Sequence, residues 1–380
     1  MKDQENTIGD IEIYANREEK DTYFKKHLSQ TYYYKIGHNE TLSLAEFKSI
    51  ASQLNKKEEI AISNGYIITR NDIDIDELGS IIFKMQEVVN FDNATLPKKV
   101  GYANLSKSKG ISKNDLLKKL KEQGGKKINI INVTPNIGNI QYVKDWFIEQ
   151  DNSVYYISQY FDNSLWGYID MSLPAKDMKK GIINLKLARS IYNLSDLNIK
   201  SVFDPFSGLG RNGVAIWDKD VDIYMSDNDE YCKRYVQENI EWIAERVTSK
   251  SKLITNDVIE ASKLATIAPK EDFKIVTEGY LTDSASGKLS SQEARERKFE
   301  VIQVWQNILN KWSDIDNLKE VIFCLPYYIT EEGVVDIDVE KEFDLQQFEH
   351  QNITGDTNKK DIYYSREKTR IGHMVVKLNK

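Results

Sequence analysis

The stretch Asp204-Pro205-Phe206-Ser207-Gly208-Leu209-Gly210-Arg211-Asn212-Gly213 constrains the fold most. It follows the short apolar run Ser201-Val202-Phe203 and precedes a helix read over Val214 to Trp217. Glycines at 208 and 210 permit a tight turn and close approach of backbone to a ligand, as the carboxyl end of the first strand of an open α/β sheet requires. Downstream, Asp222–Asp227, Lys252–Thr255, Lys274–Thr277 and Glu320–Leu325 are further short apolar runs separated by helical stretches. That alternation predicts a parallel, doubly wound sheet, closed by an antiparallel C-terminal hairpin over Asp361–Tyr364 and His373–Leu378. Ile183, Leu187, Ile191 and Leu194 form one stripe at helical spacing, and Trp305, Ile308, Leu309 and Trp312 form another; both read as core.

Gly208, Gly210 and Gly213 satisfy a dinucleotide spacing, yet an acid sits where the strand ends. Carboxylate and pyrophosphate in one turn repel, so Asp204 suits a cationic ligand better. S-adenosylmethionine, with its ammonium and sulfonium, has that character. Asp227, with Asn228 after it, ends the second strand near the spacing of a ribose-binding acid, and Asp257 follows the third strand beside the expected adenine edge. Acids at three consecutive strand ends face one crevice. Pro205, Phe206 and Ser207 complete the candidate cofactor set. Each acid alone would read as a helix cap.

The N-terminal part is different. Residues 1–28 are polar and short of periodic apolar positions, and read as a loosely attached extension. Residues 29–168 read as one α+β module: a strand at Tyr32–Ile36, a helix capped by Ser43 with Glu46, strands around Asn64-Gly65, a helix over Leu78–Val89, a strand at Lys99–Tyr102, a helix over Asn114–Gln123 and a strand at Ile128–Val133. A polar connector, 170–180, leads into the second domain, 169–380.

Net charge is −7, but it is uneven: ten lysines against Asp115 and Glu122 give residues 98–127 a charge of +8 and leave −15 for the rest. A basic face on an acidic protein suits phosphate, which makes Lys107, Lys109, Lys113, Lys118, Lys119, Lys121, Lys126 and Lys127 the candidate nucleic-acid contacts; the alternative is a solvated face. Two cysteines outside any C-x-x-C, a polar start and no apolar run of membrane length predict a soluble cytoplasmic protein, and four scattered histidines predict no metal site.

With these residues in place, the chain resembles the THUMP-domain RNA methyltransferases that methylate the exocyclic amino group of guanosine in tRNA. The resemblance runs through Tyr34–Glu46, Asp177–Gly181 with Lys186–Arg189, Asp204–Gly210 as the cofactor motif, and Tyr363-Tyr364-Ser365-Arg366 with Gly372. It implies a ferredoxin-like plus THUMP module that grips tRNA and a Rossmann-like methyltransferase domain using S-adenosylmethionine. It further implies an acceptor loop after the fourth strand, usually Asp-Pro-Pro-Tyr. Here Thr277-Glu278-Gly279-Tyr280-Leu281 stands in its place. Glu278 keeps an acceptor one methylene longer and Tyr280 keeps the π-face, so Thr277, Glu278 and Tyr280 are the candidate catalytic residues. The competing readings are a non-catalytic RNA-binding protein that retains the cofactor fold, a DNA amino-methyltransferase and, more distantly, a nicotinamide dehydrogenase. No protein partner subunit is indicated.

Overall fold

The computed structural model describes residues 28–56, 59–89, 99–104, 118, 129–132, 146–150, 153–160, 169–176, 183–282, 289–365 and 369–380. They fall into two compact units. The first holds the described residues within 1–35, 58–75 and 82–164, the second those within 36–57, 76–81 and 165–380. Two segments from the N-terminal part, 36–57 and 76–81, thus belong to the second unit.

The first unit is built on an eight-stranded sheet of β1 (Leu28–Ile36), β2 (Ile60–Ser63), β3 (Tyr66–Thr69), β4 (Ile81–Val88), β5 (Lys99–Asn104), β6 (Asn129–Asn132), β7 (Trp146–Gln150) and β8 (Ser153–Tyr160). Its order is β2-β3-β1-β4-β8-β7-β5-β6. Asn64 and Gly65 both take positive φ, the geometry a two-residue turn needs to join β2 to β3 with matching twist. Tyr66, Phe83, Met85, Ile148 and Ile157 form its core.

The helix expected over Leu78–Val89 is instead the strand β4. Apolar residues at 78, 81, 82, 85, 88 and 89 follow the helical period, but a place inside the sheet, with Phe83 to Gln86 all buried, selects the extended form that Ile and Val favour. The helix expected over Asn114–Gln123, apart from the helical Lys118, and the expected extension 1–28, apart from Leu28, which opens β1, lie outside the described residues.

In the second unit, α1 (Glu40–Gln53) is capped by Asn39, whose side chain accepts from Leu42 N, and not by Ser43. Glu46 serves another purpose: buried, it accepts from Gly79 N, Ser80 N and Asn193 Nδ2 at 2.6–2.9 Å. The following α2 (Leu185–Asn193) buries Leu187 and Ile191 as its stripe predicts, and also Arg189, paired through Nη1 and Nη2 with the two carboxylate oxygens of Asp218. Within the expected connector, Leu173 and Ala175 are buried, as is Ile169 just before it.

The sheet of this unit contains β9 (Ser201–Asp204), β10 (Asp222–Asp227), β11 (Lys252–Val258), β12 (Phe273–Val276), β13 (Leu318–Ile329), β14 (Val334–Val335), β15 (Glu349–His350), β16 (Ile362–Tyr364) and β17 (Ile371–Asn379). The main path runs β11-β10-β9-β12-β13-β17-β15, with β14 pairing β13 and β16 pairing β17. The first five on this path are parallel, and β17 is antiparallel to β13 and β15. Chain order therefore reverses between β9 and β12, and a crevice opens at their carboxyl ends.

Residues alternate across the sheet: Val202 and Ile322 enter one core, Phe203 and Phe323 the other. The first core receives α2, α3 (Arg211–Ala215) and α4 (Glu230–Ala244); the second receives α5 (Ser291–Trp312), whose Trp305, Ile308, Leu309 and Trp312 are buried as expected. A capping box, Ser290 with Glu293, starts α5. No helix among the described residues is long and apolar enough to cross a membrane.

Candidate cofactor and acceptor site

At the end of β9, Asp204 is buried with both oxygens in use. Oδ1 accepts from Thr277 Oγ1 at 2.6 Å and Phe206 N at 3.2 Å, and Oδ2 accepts from Asn212 Nδ2 at 2.8 Å. Burial raises its pKa to about 6, against the lowering effect of those three donors. Of the contact expected between Asp204 and a ligand ammonium, directly or through water, the direct form is corrected: at 3% exposure the carboxylate offers no direct contact and instead faces its own loop and organises it.

The glycine turn is tied to the neighbouring strand. Ser207 N donates to Ser226 O at 3.0 Å, and Gly208 N donates to Asp227 Oδ2 at 2.9 Å. Gly210, at φ +74°, starts α3 with its Cα against Val236, where an added Cβ would lie 3.1 Å from Val236 Cα. Asp227 Oδ1 accepts from Asp229 N, and its side chain remains partly exposed at the strand end.

In front of this turn is a cleft of about 430 Å³, lined among others by Pro205, Phe206, Asn228, Tyr280 and Ile308. Its size falls within the ~300–1,000 Å³ of small-molecule sites. Asp257 is not among the lining residues. It lies inside β11, opposite Ser226, and its half-exposed carboxylate faces Lys233 of α4 at 3.5 Å. Glu260, Ala261 and Ser262, just past the strand, occupy the place expected of it. The reason is length: β11 runs three residues beyond Thr255, so the turn comes later than the apolar run suggests.

On the other side of the crevice, the segment after β12 is pinned from below. Thr277, 1% exposed, gives its hydroxyl hydrogen to Asp204 and accepts from Gly279 N at 3.1 Å. It positions the loop and touches no open surface, a correction to its candidate catalytic role. Gly279 has φ +78°, and a Cβ there would lie 2.4 Å from Trp305 Cζ2. Tyr280 lines the cleft, with its hydroxyl on Glu300 and its carbonyl accepting from Trp305 Nε1. Glu278 is about one-fifth exposed, and its Oε1 lies 2.7 Å from His373 Nε2.

His373 is the residue that sequence reading missed. It stands alone in its segment, and only the pairing of β17 alongside β13 carries it to the fourth strand end. Of the lysine-rich stretch, Lys118 is exposed; Lys107, Lys109, Lys113, Lys119, Lys121, Lys126 and Lys127 lie outside the described residues, as do Asp177–Gly181 and Arg366. Among the described residues no group of three His, Cys, Asp or Glu could hold a metal.

Sheet order and crevice together define the second unit as a Rossmann-like α/β domain. No protein-family model matches the chain, and no curated protein does. In overall structure it is similar to TrmN from Thermus thermophilus, at 10% identity, with 92% of this chain and 99% of that chain covered and a TM-score of 0.48. It is also similar to SMU.472 complexed with SAH, at 11% identity, 92% and 98% coverage and a TM-score of 0.46. A third is a predicted N6-adenine-specific DNA methylase from Listeria monocytogenes, at 9% identity, 90% and 96% coverage and a TM-score of 0.40.

Proposed function

We propose that this chain is an S-adenosylmethionine-dependent methyltransferase whose substrate is RNA, specifically the exocyclic amino group of a guanosine in tRNA. The observation that carries the reading is the Asp204–Thr277 bond, which holds a glycine turn and an acceptor-bearing loop at one crevice. A cofactor site and a base site would then share that crevice. Ser207 Oγ, buried at the turn without a hydrogen-bond partner among the described residues, and the apolar walls from Phe206 and Ile308 fit a nucleoside-bearing cofactor. Asp227 would accept from the ribose hydroxyls, and Asn228 would flank the adenine. When bound, the cofactor supplies an electrophilic methyl group.

The chain's own residues supply orientation. Nitrogen, methyl carbon and sulfur must lie roughly in line, so positioning is the main catalytic contribution. Glu278 accepts a hydrogen bond from the target amine, and Tyr280 offers a ring on which the base stacks once it leaves its own stack. RNA is favoured over DNA by the lysine-rich, separate N-terminal part, which suits the tRNA grip of a THUMP-type module.

The test is incubation with labelled S-adenosylmethionine and either unmodified tRNA or duplex DNA, followed by digestion to nucleosides. Label in a methylated guanosine of tRNA is the expected result. Label in DNA alone, or cofactor binding with no transfer to either polymer, overturns the RNA assignment.

A further inference from the structure

We propose that Glu278 and His373 form a proton-accepting pair, with His373 holding the proton that methylation of the target amine releases; this rests on the methyltransferase reading above. The two groups come from segments 95 residues apart and meet at 2.7 Å, Nε2 to Oε1. Neither is committed to the core: the side chains of His373 and Glu278 are 22% and 21% exposed. Glu278 directly follows Thr277, which is fixed to Asp204, so the carboxylate stands at the carboxyl edge of the sheet. Because β17 runs antiparallel to the strands beside it, a residue near its beginning arrives at that same edge. A fully parallel sheet would place the start of its last strand at the opposite edge.

The lone pair of the target nitrogen forms the new N–C bond to the methyl carbon, and the S–C bond breaks with its electron pair left on sulfur, which becomes a neutral thioether. The nitrogen carries the positive charge until one of its protons leaves to the Glu278–His373 pair. In the resting pair Nε2 of His373 donates its hydrogen to the Glu278 carboxylate, and the other ring nitrogen, Nδ1, takes the released proton to give the imidazolium. Carboxylate and imidazolium then neutralise each other, and the exposed ring edge returns the proton to water.

The surroundings favour a single charged partner. Tyr364 of β16 stands with ring centres 6.3 Å from His373, and His38 lies 6.5 Å beyond Tyr364. Across β13 the neighbours are Pro326, which cannot titrate, and near Glu278 the Cys324 thiol, which burial and the Glu278 charge push well up and keep neutral. Among the described residues, Glu278 is the carboxylate in contact with His373.

Two readouts test the pair. In spectra of the ¹⁵N-histidine-labelled chain without substrate, Glu278→Gln should move the ring nitrogen signals of His373, because its partner loses charge; unmoved signals overturn the pairing. In single-turnover transfer to tRNA, His373→Gln should lower the rate by ~100-fold and make it less dependent on pH than the wild-type rate, while calorimetric affinity for S-adenosylmethionine stays as in wild type. If His373→Gln binds cofactor poorly, Glu278→Gln, read in the same assay, should show the same lowered, flattened profile. A wild-type rate and pH profile in either variant overturns the pair and leaves the methyltransferase reading standing. No transfer by wild type removes both.

Discussion

Thr277 Oγ1 donates to Asp204 Oδ1 over 2.6 Å, so the ends of two adjacent parallel strands, 73 residues apart in the chain, share one buried hydrogen bond. Because Thr277 also accepts from Gly279 N, its hydroxyl couples the glycine turn to the acceptor loop. Thr277→Val keeps the shape and removes both bonds. It should cost ~1–3 kcal/mol in urea unfolding and weaken cofactor binding, since buried polar groups lose a partner. Stability equal to wild type would show that the coupling contributes nothing.

Asp204 carries a pKa of about 6 in the folded chain against an ordinary value near 3.8. The native state then binds its proton more tightly than the unfolded chain does, so between about pH 4 and 6 this group makes stability fall as pH rises, and above about pH 6 the cost is complete. Asp204→Asn, which keeps an oxygen for Thr277, should gain on wild type by on the order of 3 kcal/mol between pH 4 and pH 7. Paired denaturation curves at the two pH values measure it; a constant difference contradicts the burial effect.

Asp227 accepts from Gly208 N with one oxygen and from Asp229 N with the other, yet stays open at the strand end. If its carboxylate also takes the ribose hydroxyls, Asp227→Ala should weaken S-adenosylmethionine by ~1.5–3 kcal/mol in calorimetry. Tighter binding of NAD than of S-adenosylmethionine by wild type would discard the cofactor assignment.

Gly279→Ala places a methyl 2.4 Å from the Trp305 ring at a backbone angle of φ +78°. Strain of ~1–3 kcal/mol should displace Glu278 and Tyr280 together. Methyl transfer is expected to fall at least ~10-fold, with cofactor affinity nearly kept, because misplacement affects the reacting geometry first. An alanine variant with full turnover would show that the loop tolerates the shift.

Replacing Lys118, Lys119 and Lys121 by Glu should weaken tRNA binding and flatten its dependence on salt. In a log–log plot the slope should shrink by ~0.7–0.9 for each phosphate that the variant no longer neutralises. Filter binding across a salt series gives the slope. An unaltered value would return the stretch to an ordinary solvated face.

The order of strands β9 to β13 was legible because each is a short apolar run bounded by turn residues, and the Asp204–Gly213 stretch announced the crevice because glycine spacing is a local property. The core stripes of α2 and α5 were legible for the same reason, since helical periodicity is written within one segment. What depended on the sheet was not. Ile81 and Val88, seven residues apart, share one face of a helix, and only a place between neighbouring strands decided for β4. Asp204 reads as a ligand contact until its three donors, brought from other segments, turn it inward. His373 has no motif around it, and its meeting with Glu278 exists only because an antiparallel last strand reverses direction beside parallel ones. Periodicity and turn chemistry are encoded within a few residues of each other, whereas the partners of a buried or titratable group are set by which strands become neighbours.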